Sequence, residues 1–72
     1  MKDLGRLNDA VISYKQAIAI KPNYPEVYNN LGNTLQELGE FDNAEASYRQ
    51  AIALKPDFAE AYNNLGNTLT EL

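Results

Sequence analysis

The sequence predicts an all-α fold of antiparallel helix–turn–helix repeats. Three observations carry this. The chain of 72 residues repeats itself at a spacing of 34. Within each period, apolar residues recur at three- and four-residue intervals, the signature of one helix face. The segments between these runs are a few residues long, which makes successive helices antiparallel neighbours.

The self-similarity is extensive. Gly5 and Gly39, Ala10 and Ala44, Tyr14 and Tyr48, and Ala17 and Ala51 each stand 34 residues apart. So do Pro22 and Pro56, Tyr28 and Tyr62, Leu31 and Leu65, and Gly32 and Gly66. The run YNNLGNTL occurs at residues 28–35 and again at 62–69, and QAIA at 16–19 and 50–53.

The first helix is predicted near Asn8–Ile20, ended by Pro22. The second is predicted over Pro25–Leu38, where Tyr28, Leu31, Leu35 and Leu38 share one face. Pro25 falls in the first turn, where a missing N–H is harmless. Asn23 with Glu26, and Asp57 with Glu60, read as capping pairs. Gly39 suits a left-handed residue just past the helix. The third helix, Phe41–Leu54, carries Phe41, Ala44, Tyr48, Ala51 and Ile52 on its buried stripe, and Pro56 stops it. The fourth, Ala59–Glu71, repeats the second. Tyr24 and Phe58 stand just ahead of helices, positioned to staple them. Gly32 and Ala44 allow the two helices of a hairpin to approach closely, and Ala51 does the same toward the next hairpin.

Composition narrows the functions available. Cys and His are absent, which excludes disulfides and removes the commonest metal ligand and neutral-pH base. Ser13 and Ser47 have no His to activate them, and no glycine-rich phosphate loop or calcium loop is present. No catalytic residue, metal site or cofactor is therefore predicted. The net charge of −4 and the scatter of Lys2, Arg6, Lys15, Lys21, Arg49 and Lys55 among acids argue against nucleic acid. No apolar run is long enough to span a bilayer, and the lack of Cys fits a cytoplasmic location. The acidic stretch Glu37, Glu40, Asp42 and Glu45 reads as a solvated face.

Tyr28, Leu31, Gly32, Leu35, Ala44, Tyr48, Ala51 and Pro56 together resemble the tetratricopeptide repeat, a 34-residue helix–turn–helix unit. Tyr28 stands where that family often has Trp, and Leu35 where it often has Tyr. The wording NNLGN followed by QAIALKP is also similar to repeats of O-linked GlcNAc transferases and of many bacterial repeat proteins. The resemblance implies part of a right-handed superhelical solenoid, with first helices lining a concave side where extended peptides lie. It implies that Asn30 and Asn64 match an asparagine ladder that holds peptide backbone. In this frame residues 1–24 are the second half of a repeat, 25–58 one full repeat, and 59–72 the first helix of a further one.

The residues themselves agree with a protein or peptide partner. Glu26, Asn30, Asn33 and Glu37 form one polar row, and Glu60, Asn64, Asn67 and Glu71 repeat it, with Asn29 and Asn63 flanking. A side-chain amide both donates and accepts, so it can hold peptide backbone regardless of the peptide's side chains. The candidate peptide-binding set is Asn29, Asn30, Asn33, Asn63, Asn64 and Asn67. Asn33 and Asn67 also suit hydrogen bonds between helices. A second expectation is self-association. Repeats bury their faces only against neighbours. The last helix offers Tyr62, Leu65, Gly66 and Leu69, and the first offers Ala10, Tyr14 and Ala17 in return. Joined head to tail, these surfaces would build rings or open superhelices. A third possibility is that the segment belongs to a larger protein whose activity lies elsewhere.

Overall fold

The computed structural model describes residues 4–72; residues 1–3 of the expected first segment lie outside the described residues. Four helices follow in order: α1 (Leu4–Ile20), α2 (Pro25–Glu37), α3 (Phe41–Leu54) and α4 (Ala59–Glu71). No strand occurs among the described residues. Each helix packs on the next, and α2 also touches α4. The result is a slab measuring 33 × 32 × 16 Å, the arrangement of an all-α helical repeat.

The core follows the predicted stripes. Leu31 and Leu35 from α2, Ala44 and Tyr48 from α3, and Leu65 from α4 form one buried cluster, with Val11, Tyr14 and Ile18 of α1 packed against it. Ala51, Phe58 and Ala61 form a second, joined by Tyr28 and Ile52. Burying a leucine side chain of this kind contributes about 1.5–3 kcal/mol.

Gly32 shows why the hairpin needs a glycine. A Cβ built there would meet three ring atoms of Tyr48 at 2.6, 2.8 and 2.9 Å. The ring thus occupies the space a side chain would take. Gly39 ends α2 at φ +81°. Its N–H donates to the Gln36 carbonyl at 3.0 Å, and the Glu40 N–H to the Leu35 carbonyl at 2.9 Å. These two bonds are the Schellman pattern, and a residue with a Cβ would cost about 1–2 kcal/mol in that conformation.

Three expectations change. The first helix begins at Leu4, not Asn8, and Gly5 lies inside it. Among the described residues no packed helix pair imposes at Gly5 the turn that α2 and α3 impose at Gly39. The capping pairs do not form either. The residues before α2 and α4 are Tyr24 and Phe58, and neither helix start has a side-chain cap bond. Placing Pro25 at the first helical position moves the start one residue past Asn23. Glu26 turns toward Lys55, 3.9 Å away. Finally, Phe58 does not simply staple α4. It is buried against Ala51 and Ala61, with the Lys55 ammonium 4.9 Å above its ring. Tyr24, at the same repeat position, stays 42% exposed.

Candidate functional site

The polar faces of α2 and α4 meet around a cavity of about 520 Å³. Asn33, Gln36 and Glu37 of α2 form one wall, Asn64, Asn67 and Glu71 of α4 the other, and Phe41 closes one side. Helix geometry explains the pairing. Asn29, Asn33 and Gln36 fall at i, i+4 and i+7, one line along α2. Asn64, Asn67 and Glu71 likewise fall at i, i+3 and i+7 along α4.

Beneath the groove lies a layer of hydrogen bonds. The Tyr48 hydroxyl is 2.6 Å from Asn33 Oδ1, to which it donates, and 3.1 Å from Gln36 Oε1. The Thr68 hydroxyl is 2.9 Å from Gln36 Oε1 and 3.0 Å from the Asn64 carbonyl oxygen. Each hydroxyl has one proton for two acceptors. Tyr48 and Thr68 are both fully buried. Burial, followed by the negative charges of Glu37 and Glu60, pushes the Tyr48 hydroxyl up to about 12. It is therefore a neutral donor at physiological pH, holding Asn33 and Gln36 in fixed orientations.

The predicted peptide-binding residues divide. Asn33, Asn64 and Asn67 line the groove. Asn29 does not belong with them: it is 2% exposed. Its Nδ2 donates to Glu60 Oε1 at 3.2 Å, and its Oδ1 accepts from Asn64 Nδ2 at 3.1 Å. It ties α2 to α4 and is covered by that contact. Asn30 and Asn63 are exposed and stand outside the groove. Gln36, Thr68 and Phe41 were missed. Gln36 was legible in the same line as Asn29 and Asn33, and Thr68 in its place three residues after Leu65 on the buried stripe.

The expected self-association face also divides. Leu65 is 8% exposed and belongs to the core with Leu31 and Tyr48, so it is not offered to a partner. Tyr62 and Leu69 are 51% and 45% exposed. At Gly66, a Cβ would meet nothing within 4 Å. Ala10, Tyr14 and Ala17 are half-buried.

Among the described residues no group of three or more acids is placed to hold a metal ion, and no helix is long and apolar enough to cross a membrane. Fold and site define a helical repeat scaffold. A family model described as TPR repeat matches residues 2–39 and again residues 32–72. The chain belongs to the tetratricopeptide repeat family, whose repeats generally mediate protein–protein interactions and are typically non-catalytic. No curated protein matches it in sequence.

Proposed function

We propose that this chain is an interaction module that receives an extended segment of a partner protein across the α2–α4 face. In this reading residues 25–58 are one whole repeat, and 1–24 and 59–72 are the adjoining halves. The observation that carries it is the groove itself: amides from two repeats converge on one cavity, with side chains fixed from below by Tyr48 and Thr68. Amides satisfy peptide N–H and C=O groups alike. Successive first helices stand about 10 Å apart, close to three residues of extended chain at about 3.3 Å each.

Asn67 gives the clean test, because it is exposed in the groove. Asn67→Ala weakens binding of peptides selected from a random library by about three- to tenfold, the worth of one hydrogen bond. Asn63→Ala, outside the groove, leaves affinity unchanged. Circular dichroism confirms that both variants fold. Equal affinity for every peptide in all three proteins rules the groove out.

A second reading has its own support in Gly66. Gly32 is filled by the Tyr48 ring, whereas Gly66, one repeat on, is open beside exposed Tyr62 and Leu69. Tyr14 stands one repeat before Tyr48, so α1 of a second copy, with Ala10 and Ala17, carries the residue types that fill the Gly32 seat. Mass measured by light scattering rises with concentration if this contact forms. Tyr14→Ser abolishes the rise. A constant single-chain mass eliminates it.

A further inference from the structure

The charges of the chain are not spread evenly over its helices. α2 and α4 contain Glu26, Glu37, Glu60 and Glu71 and no lysine or arginine. All six basic residues lie on α1, on α3, in the loops that follow them, or ahead of α1. The two helices that build the groove are thus purely acidic.

Within that set the carboxylates have different fates. Glu26 faces Lys55 at 3.9 Å. Glu60 accepts a hydrogen bond from Asn29. Glu37 and Glu71 are exposed, line the groove, and occupy the same position in consecutive repeats. Everything else in the lining is amide or aromatic, so no cation in the groove offsets them. The field is felt inside the protein: Glu37 and Glu60 both oppose ionisation of the Tyr48 hydroxyl, after the larger effect of its burial.

We infer that the groove selects a partner segment bearing lysine or arginine at every third residue, so that consecutive cations meet Glu37 and Glu71 while the groove amides hold the backbone between them. The inference rests on the peptide-holding reading. Its spacing comes from geometry. A polyproline II strand turns once every three residues and rises about 3.1 Å per residue, so residues i and i+3 share a face about 9 Å apart. That matches the spacing of packed helices, about 8–10 Å. A β-strand, with its two-residue alternation, would turn every second such cation away.

Fluorescence polarisation with labelled Lys-Pro-Ser, Gln-Pro-Ser and Glu-Pro-Ser repeat peptides tests it, using the whole chain and a Glu37→Gln/Glu71→Gln variant. The Lys peptide binds tightest, the Glu peptide weakest, and affinity for the Lys peptide falls with added salt. The double variant loses about tenfold for the Lys peptide, as expected for two exposed ion pairs. Its preference for the Lys peptide over the Gln peptide falls by the same factor, and it retains its helical circular dichroism. If Lys and Gln peptides bind alike, or the variant loses nothing, the charge selection is wrong and the peptide-holding reading survives. If no peptide binds, both fall.

Discussion

Gly32→Ala is a small change with a calculable outcome. In an exposed helix, alanine is preferred over glycine by about 1 kcal/mol, so propensity alone predicts a more stable protein. The structure predicts the reverse. The new methyl would lie 2.6–2.9 Å from the Tyr48 ring, well inside contact distance. The ring has no room to yield, because Tyr48 is fully buried and its hydroxyl is held by Asn33 and Gln36. Overpacking of this kind costs about 1–3 kcal/mol, and a displaced hydroxyl adds about 1 kcal/mol or more for each bond it abandons. The net loss is about 1–3 kcal/mol. For a domain of this size each kcal/mol moves the melting temperature by about 4–8 °C. Gly66→Ala is the internal control, since nothing lies within 4 Å of the added Cβ. It gains about 0.5–1 kcal/mol. Thermal and urea denaturation at low protein concentration reads both. Gly32→Ala melting at or above the parent temperature refutes the close-approach argument.

Tyr48→Phe removes the donor serving Asn33 Oδ1 and Gln36 Oε1 and costs about 1 kcal/mol, toward the low end because both acceptors are half-buried beside the groove. It also changes the response to alkali. The folded hydroxyl ionises near 12 against an ordinary value of 10.0. Its stabilising preference is complete below pH 10 and is lost as the pH climbs toward 12, because the unfolded chain releases the proton first. Melting temperatures taken across that window fall in the parent and fall less steeply in Tyr48→Phe; identical slopes would show that the hydroxyl is not held as described. Asn29→Ala costs about 1 kcal/mol by severing the Glu60 and Asn64 contacts. Asn63→Ala, at the same repeat position but exposed, is neutral or gains about 0.5 kcal/mol from helix propensity. Urea titrations separate the two.

The helices were legible because apolar periodicity and proline placement are local signals. Phe41–Leu54 and Ala59–Glu71 begin and end where the sequence indicated. The left-handed turn at Gly39 was legible for the same reason. What the sequence concealed was tertiary. Asn23 and Asp57 have the right chemistry for caps, but Pro25 and the buried ring of Phe58 set the helix starts one residue later. Asn29 looks like any groove amide until α4 is laid against it. Tyr48 reads as an apolar core residue, and nothing local reveals that its hydroxyl organises the groove floor.

The repeat makes the source of these differences visible, because the same residue type can be compared in two settings. Asn29 and Asn63 have identical neighbours in sequence, YNNLGNTL on both sides, yet one is 2% exposed and the other lies open. Gly32 is pressed against a tyrosine ring, and Gly66 has empty space. Asn30 is exposed while Asn64 is held by Asn29. In each pair, the helix packed alongside decides the outcome. This is the nearest-neighbour logic of repeat proteins. It assigns each first helix two polar edges: one, like Asn29 and Gln36, turned toward the following first helix, and one, like Asn64, turned toward the preceding one. The positions of Asn33 with Asn67 and of Glu37 with Glu71 lie between these edges and line the groove on both helices. A groove therefore exists only where two first helices adjoin. Its lining draws on both helices, and this is why Glu37 and Glu71 border the same groove although they come from different repeats.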